Sequence, residues 1–517
     1  MSRAARAYFG AMLGALLTLF WHPISRPFLW NGFSHWGASA VARSTPLIAG
    51  NLVRLPVPKS ELDASLWLQA GSERLWVHRP PSDADRENLV LVARNAAVHE
   101  PENAYWRQME AVFLGSLGRQ EEARKAWVQA AKAVRWNDYQ SVRLLGVREE
   151  LAREEGSRLA WQLAFALRLR SSANAQAIRS FSRQVVSGTD LVSPAGLETR
   201  WASVMNARLM RDGARSIETG QTAAEMMEAA SHPAGLPVAR SHRVLLLARY
   251  DLINALMAAG MSERSNQVNR AYDSNDSWIA LTRRVDTQEF ADMSILGALA
   301  TATVPSALLA VAALGAILWM VGTIVHRSAV VRQLLAPPAA PALGVVFAVL
   351  AYLATGLVLA AIAVVLCFAF LVFTPPRVRS LTPDELGPLF RFILALLGMA
   401  IASTFGAFIA SLSTPACELL FLIGVPREYY GGSTLFLGLS GIVLGLLLLI
   451  SPGWALAQRI ATPKVVGVAM RDLGCGLCAV CLGLAVVSAP AAVYADRVLN
   501  QNLQMLVENE PNYHLLQ

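Results

Sequence analysis

Residues 304–325 of the chain read VPSALLAVAALGAILWMVGTIV, a continuous apolar run without a charged side chain. A bilayer core of about 30 Å requires about 20 apolar residues in a helix, so this run predicts a membrane-spanning helix. Comparable runs follow toward the C-terminus, at 342–373, 392–412, 435–453 and 473–493. The sequence therefore predicts a polytopic α-helical membrane domain of about five helices over residues 291–517.

A shorter apolar stretch at 413–424 lies among these runs and contains Pro415 and Glu418. Its length favours a re-entrant or interfacial helix, whereas a full hairpin over 392–424 would add a sixth span. The carboxylate of Glu418 is a functional candidate because ionisable groups inside membranes are costly. An interfacial glutamate that faces lipid headgroups is the other interpretation. The sequence leaves open the choice of five or six spans, and also the side of the C-terminus.

Another apolar run, at 7–24, follows Arg3 and Arg6 at the N-terminus. A basic flank before a short apolar run is typical of a secretory signal peptide and also of a membrane anchor. Tryptophans after the run favour interfacial anchoring, and the small-x-small pattern at 38–40 lies too far downstream for cleavage. We predict an uncleaved membrane anchor over residues 1–24.

Most charged residues lie between positions 23 and 290, which hold 33 of the 45 Lys and Arg and 28 of the 37 Asp and Glu. This mild positive excess is spread along the segment, so it does not indicate a nucleic-acid binder. The basic flanks at Arg3 and at Arg327 should stay in the cytoplasm under the positive-inside rule. We therefore expect residues 25–290 to be extracytoplasmic in a multi-pass protein. Lysine is scarce relative to arginine, which favours a bacterial protein. We therefore expect the protein to lie in the bacterial inner membrane.

The most specific pattern of this charged block runs from Ala93 to Trp136, where apolar and small residues recur at helical spacing. It contains a turn proline, two helices and a glycine between them: Pro101, then Trp106 and Ala111, then Gly118, then Ala123, Trp127 and Ala130. These positions predict a helix hairpin.

The hairpin resembles a tetratricopeptide repeat, or TPR. That family places small residues where paired helices touch, a glycine at the turn, and an aromatic side chain between neighbouring units, the positions held here by Ala123, Gly118 and Trp127. Trp106 stands one place early, and Arg135 replaces the closing proline. The resemblance implies a TPR-like unit with two departures from the family pattern.

A weaker unit at 249–272 keeps the turn glycine, Gly260, but not the small and aromatic positions. At least three such units are usually needed to bury a core, so the remaining helices should be irregular hairpins of the same stack. We therefore predict a linker at 25–83 and an extracytoplasmic TPR-like helical solenoid at 84–290. The predicted fold class is all-α.

A stack of helix pairs forms a curved solenoid that binds peptides or partner surfaces. The predicted function is an integral membrane protein that presents this domain for protein–protein interaction, as a scaffold, receptor or assembly subunit of an envelope complex. Helices that only support the protein's own spans are the other interpretation. The alternative function is a transport-related permease or membrane enzyme with a site among the C-terminal helices. Spans almost free of charge favour the scaffold.

Three cysteines, Cys475, Cys478 and Cys481, form a C-x-x-C-x-x-C pattern at the start of the last apolar run. Thiolates at this spacing can share a metal cluster when they lie in a loop, but a fourth cysteine is missing. Glycines within the same run, Gly474, Gly476 and Gly483, favour close helix packing, in which cysteine is a small apolar residue. We predict packing, with metal, redox or acylation chemistry as the alternative.

Recognisable catalytic and nucleotide-binding patterns do not occur in the sequence: there is no Walker loop, dinucleotide glycine fingerprint, H-E-x-x-H or G-x-S-x-G. The histidines, among them His22, His35, His78 and His99, are not at metal-ligand spacing. We therefore assign no catalytic, cofactor-binding or metal-binding residue and no cofactor. The expected partners are another protein and the lipid bilayer, and an enzyme is the less favoured class.

Overall fold

The computed structural model of the protein describes residues 3–30, 58–75, 81–232, 242–282, 287–327 and 462–515, together with positions 345 and 349. Within these ranges the regular elements are helices and no strand occurs, so the all-α prediction is confirmed for them. Three helices are long and apolar enough to cross a membrane: Arg3–Trp21, Glu289–Arg327 and Gly467–His514. They mark the chain as a membrane protein. Apart from positions 345 and 349, the predicted spans at 342–373, 392–412 and 435–453 lie outside the described residues.

The helices are numbered in chain order over the described ranges. They are α1 (Arg3–Trp21), α2 (Arg26–Trp30), α3 (Glu61–Leu75), α4 (Asp83–His99), α5 (Ala104–Ser116), α6 (Gln120–Ala130), α7 (Gln140–Glu155), α8 (Ala160–Arg168), α9 (Ala173–Ser187), α10 (Pro194–Gly213), α11 (Ile217–Ser231), α12 (His242–Ala258), α13 (Ser262–Thr282), α14 (Thr287–Arg327) and α15 (Thr462–Leu515).

The chain forms two compact units. One, the membrane unit, comprises Met1–Ala38 and Leu296–Leu499, and the other, the helical unit, comprises Ser39–Ile295 and Asn500–Gln517. Helices α14 and α15, of 41 and 54 residues, are longer than the about 20 residues that a crossing requires. The boundaries between the units fall at Leu296 in α14 and at Leu499 in α15, so one end of each helix belongs to the helical unit.

The membrane unit is held together by apolar contacts among its three long helices. Leu16 of α1, Val311 and Ala312 of α14, and Leu482 of α15 belong to one buried cluster. The hydroxyl of Tyr8 also donates a hydrogen bond to the carbonyl of Ala479 at 2.6 Å. The N-terminal helix is thus packed against the last helix of the chain.

The helical unit contains successive helix hairpins whose members pack on one another. Hairpin α5/α6 contacts α10 through α6, and hairpin α10/α11 contacts hairpin α12/α13. Helices α7 and α8 pair with each other, while α9 packs against α3, α5 and α11. The contact between α6 and α10 therefore joins hairpins that three helices separate in the sequence.

Two of these hairpins turn in the same way. After α5, Gly118 adopts a φ of +78°, and after α12, Gly260 adopts a φ of +75°. The next amide in each case, that of Arg119 or Met261, donates to the carbonyl of Leu114 at 3.0 Å or of Leu256 at 2.9 Å. This is the Schellman arrangement, in which a left-handed glycine ends a helix. The two glycines singled out in the sequence therefore occupy equivalent turns.

Candidate functional site

The junction between hairpin α5/α6 and helix α10 is built around Trp127. Its side chain is fully buried, and so is Ala123 one turn earlier on α6. The indole Nε1 of Trp127 donates to the Ser203 hydroxyl at 2.9 Å, and its ring meets Phe181 edge-on with centroids 5.3 Å apart. The predicted aromatic position between neighbouring hairpins is thus occupied by Trp127, with Ala123 at the helix contact.

A series of buried hydrogen bonds continues from this junction. The side-chain amide of Asn206 donates to the carbonyl of Trp127 at 2.8 Å, and that of Gln108 donates to the Asn206 side-chain oxygen at 3.2 Å. The Gln108 oxygen accepts a hydrogen bond from the indole of Trp136 at 2.9 Å. Because these buried groups satisfy one another, the network fixes how α5, α6 and α10 pack.

The turn before α5 is organised around the carboxylate of Glu100. It accepts hydrogen bonds from the Tyr139 hydroxyl, the Trp106 indole and the Asn103 amide, and it pairs with Arg135 at 2.9 Å. Burial raises the pKa of Glu100, but the hydrogen bonds, that of Tyr139 first, and the charge of Arg135 outweigh burial and hold the pKa below its ordinary value. The two departures from the repeat pattern, Trp106 and Arg135, thus bind the same carboxylate.

A groove with a volume of about 760 Å³ lies between the loop 131–137 and α10. Its floor includes Trp201, Met205 and Leu209 of α10. Val134 stands on the loop with 81% of its surface exposed. The groove therefore combines an apolar floor with an exposed apolar side chain on its wall.

Both walls of this groove are fixed by contacts within the helical unit. On the loop, the amides of Val134 and Arg135 donate to the carbonyl of Glu102 at 3.1 and 3.0 Å. A Cβ atom on Gly213 would lie 2.3 Å from the carbonyl oxygen of Trp136, so only glycine allows the loop to approach α10 this closely. The groove is therefore formed in advance of any ligand.

The floor of the groove is equally constrained. The Trp201 indole donates to the side chain of Gln267 at 3.0 Å, and the guanidinium of Arg264 lies 4.7 Å from the centre of its ring. Arg264 is paired with Glu198 at 2.9 Å. Trp201 is thus held in one orientation, which lowers the conformational entropy that a ligand would have to remove.

The charges around the groove are mostly positive. Lys132, Arg135, Arg208 and Arg215 line it with a single carboxylate, Asp212. Asp212 lies 3.5 Å from Arg208, whereas Arg135 is paired with glutamates of the neighbouring turn. Among the described residues, no carboxylate pairs with the exposed side chain of Lys132 or of Arg215. The groove therefore presents uncompensated positive charge.

A second cavity, of about 630 Å³, lies between α3 and α4. Its lining includes Trp67 and the exposed residues Leu91 and Val98, together with both Lys59 and Glu61. Its charges are mixed, and its walls come from α3, the short segment before it, and α4. It gives less indication of a specific ligand than the groove along α10.

Buried arginines that the sequence did not single out connect the hairpins. Arg249 of α12 donates to both carboxylate oxygens of Glu228 on α11 and of Asp276 on α13. The ring of Tyr272 lies 4.8 Å beneath its guanidinium. Neither the spacing nor the composition of the sequence marks Arg249, because its partners come from other helices.

The C-terminal end of α15 is an integral part of the helical unit. The buried carboxylate of Glu510 pairs with Arg170 at 2.8 Å and accepts the amide of Ile217 at 3.0 Å, which places it at the N-terminus of α11. Arg148 donates to Asn500 at 2.8 Å and to Gln504 at 3.2 Å. These bonds tie residues 500–515 to α7 and to α11.

Helices α14 and α15 approach each other through paired glycines. A Cβ atom on Gly474 would lie 2.3 Å from the amide nitrogen of Trp319, and one on Gly315 would lie 2.6 Å from that of Cys478. Gly322 lies seven residues after Gly315 on α14, and Gly467 lies seven residues before Gly474 on α15. These two glycines meet in the same way. The predicted close packing at Gly474 is confirmed, and the backbone of Cys478 takes part in it. Cys481 is buried, while Cys475 and Cys478 are partly exposed.

The other two glycines of this run behave differently. A Cβ atom on Gly476 would meet no atom of the described residues within 4 Å, so the close packing predicted for Gly476 is not found in the described part of the chain. Two residues correspond to about 200° around a helix, and Gly476 therefore points away from the contact made by Gly474. Gly483 does pack closely, but against the side chain of Tyr8 on α1 rather than against a backbone.

Several residues considered in the sequence analysis lie outside the described residues: Glu418, His35 and His78. In the part of the chain that the structure describes, no group of three His, Cys, Asp or Glu side chains is arranged to hold a metal ion. Comparisons of the chain with protein-family models, with curated proteins and with solved structures gave no match. The candidate site therefore depends on its own geometry.

Proposed function

We propose that the protein presents its helical unit, a TPR-like solenoid, to another protein and acts as a scaffold, receptor or assembly subunit at the bacterial inner membrane. The observation that carries the proposal is the preformed groove along α10, with its Trp201 floor and the exposed Val134 on its wall. A groove of about 760 Å³ that is shaped in advance suits a partner segment.

The TPR-like assignment is supported by features that recur at equivalent places. Gly118 and Gly260 end their helices with the same left-handed turn. Trp127 lies between neighbouring hairpins, and Ala123 lies at a helix contact. Repeated hairpins of this kind bind partners through the surfaces that their stacking leaves open.

The proposed side of the membrane follows from the basic residues next to the outer spans. Arg3 and Arg6 precede the core of α1, and Arg327 ends α14. Under the positive-inside rule these flanks stay in the cytoplasm, and the chain between α1 and α14 is then extracytoplasmic.

The proposed function is tested by purifying the full chain in a mild detergent and asking whether another protein accompanies it in stoichiometric amount. Val134→Glu changes the wall of the groove at an exposed side chain, and Val192→Glu is the matched control because Val192 is 87% exposed and does not line the groove. We expect the partner to be retained by the control and lost from Val134→Glu. The absence of any stoichiometric partner, or its equal retention by both variants, would contradict the proposal.

A further inference from the structure

The groove along α10 has a charge pattern that restricts its ligand. Its four basic side chains come from two elements, Lys132 and Arg135 from the loop after α6, and Arg208 and Arg215 from the end of α10 and the turn that follows. Arg135 and Arg208 have carboxylate partners, whereas Lys132 on the loop and Arg215 after α10 have none among the described residues. Each side of the groove therefore offers one unpaired cation to a negatively charged ligand.

We propose that this groove binds an extended acidic segment of the partner protein, with apolar side chains between its carboxylates. This inference rests on the proposed function and names the partner's chemistry. The carboxylates pair with Lys132 and Arg215, whose side chains have no carboxylate partner among the described residues. An apolar side chain of the segment covers Val134 and the accessible part of Leu209.

The apolar floor distinguishes this ligand from a simple anion. Trp201 and Met205 are almost completely buried, so the floor offers a narrow apolar strip rather than a deep cavity. A strip of this kind between charged walls fits a chain whose successive side chains alternate between the floor and the walls. Free phosphate or another small anion would satisfy the cations but leave Val134 uncovered.

The test uses the purified full chain in detergent and a short fluorescein-labelled peptide of alternating glutamate and leucine. The variant Lys132→Glu/Arg215→Glu reverses both unpaired charges of the groove. Its matched control, Arg153→Glu/Arg183→Glu, makes the same change in net charge at exposed arginines of α7 and α9 that do not line the groove. Reversal of both charges replaces attraction to the carboxylates of the peptide by repulsion.

We expect the peptide to bind the wild type and the control equally, and to bind the groove variant about tenfold more weakly. Binding should also weaken as salt is raised, because exposed charges are screened. A peptide with lysine in place of glutamate should not bind. Equal binding to the groove variant, or equal binding of the lysine peptide, would overturn the proposal.

The same measurements distinguish two other classes of ligand, a second copy of the chain and a polyanion, from the acidic segment. Self-association of the wild type that is lost in Lys132→Glu/Arg215→Glu would assign the groove to a second copy of the chain and overturn the acidic partner. Single-stranded DNA that competes fully with the peptide would overturn it in favour of a polyanion. If the peptide fails to bind while Val134→Glu still removes a stoichiometric partner, the acidic segment is wrong and the proposed function stands.

Discussion

Single buried side chains join helix ends in the helical unit. The guanidinium of Arg200 is fully buried and donates to the carbonyls of Thr189 at 2.8 Å and Ala230 at 3.0 Å, and also to those of Val186 and His232. These carbonyls lie at the C-terminal ends of α9 and α11, where helix dipoles concentrate negative charge. One cation therefore satisfies the ends of two helices.

Replacement of Arg200 by methionine should lower the stability of the helical unit by about 3 kcal/mol, because it leaves several buried carbonyls without a donor. The measurement is the melting temperature of the full chain in detergent. Arg183→Met on the exposed side of α9 is the control and should have little effect. Equal melting temperatures for the two variants would show that Arg200 does not connect these helices.

The Glu100 turn should weaken in acid. Because the folded-state pKa of Glu100 lies below its ordinary value of 4.5, its charge stabilises the fold above that pH. The contribution is lost as the pH falls through the folded-state pKa. The midpoint temperature of thermal unfolding should fall more steeply with decreasing pH for the wild type than for Glu100→Gln. Parallel pH profiles would contradict this assignment.

At the level of helices, glycine position decides which contacts in the membrane unit are possible. Gly315 and Gly322 of α14 face Gly474 and Gly467 of α15, with seven residues between successive contacts on each helix. Seven residues are close to two turns, so the glycines of each helix lie on one face and the backbones meet twice. Small residues allow such approach in membranes, where dispersion contacts largely replace the hydrophobic effect.

The matched pair Gly474→Ala and Gly476→Ala tests this packing. The methyl group on residue 474 would lie within 2.5 Å of backbone atoms of α14, whereas the methyl group on residue 476 meets no atom of the described residues within 4 Å. We expect Gly474→Ala to lower the thermal stability of the full chain in detergent. Gly476→Ala should leave it unchanged or slightly raised, because alanine favours helix. The reverse order of stabilities would refute the glycine contact.

Prediction from the sequence succeeded where the pattern was local. The apolar runs at 7–24, 304–325 and 473–493 correspond to long helices, and the spacing around Gly118 predicted a hairpin. It did not distinguish Gly476 from Gly474, because a count of small residues does not say which face of a helix meets a neighbour. The groove was also missed, since its basic residues belong to elements that only the α6–α10 contact brings together.

For the whole molecule, the packing of the last residues bears on the side of the C-terminus, which the charge pattern left open. Leu503, Leu506 and Val507 are buried, and Glu510 lies at the N-terminus of α11. The apolar run ends near residue 493, so the sequence alone gives residues 500–515 no partner. Since they pack within the helical unit, we infer that the C-terminus faces the same compartment as that unit.

Cysteine labelling tests this arrangement in intact spheroplasts with a reagent that does not cross membranes. Ser187→Cys reports on the exposed end of α9, and Asn512→Cys reports on the exposed side of the C-terminal segment. The unmodified chain controls for the native cysteines. We expect both sites to be labelled. Protection of both would reverse the proposed orientation, and labelling of only one would contradict the shared compartment.

The central claim, that the groove along α10 binds a partner protein through its positive charges, is tested most directly in native membranes. A photo-activated crosslinking amino acid in place of Val134 should form a discrete adduct with one protein. The adduct should persist with Arg153→Glu/Arg183→Glu and disappear with Lys132→Glu/Arg215→Glu. No adduct at Val134, or one of equal yield in both charge-reversed backgrounds, would contradict the claim.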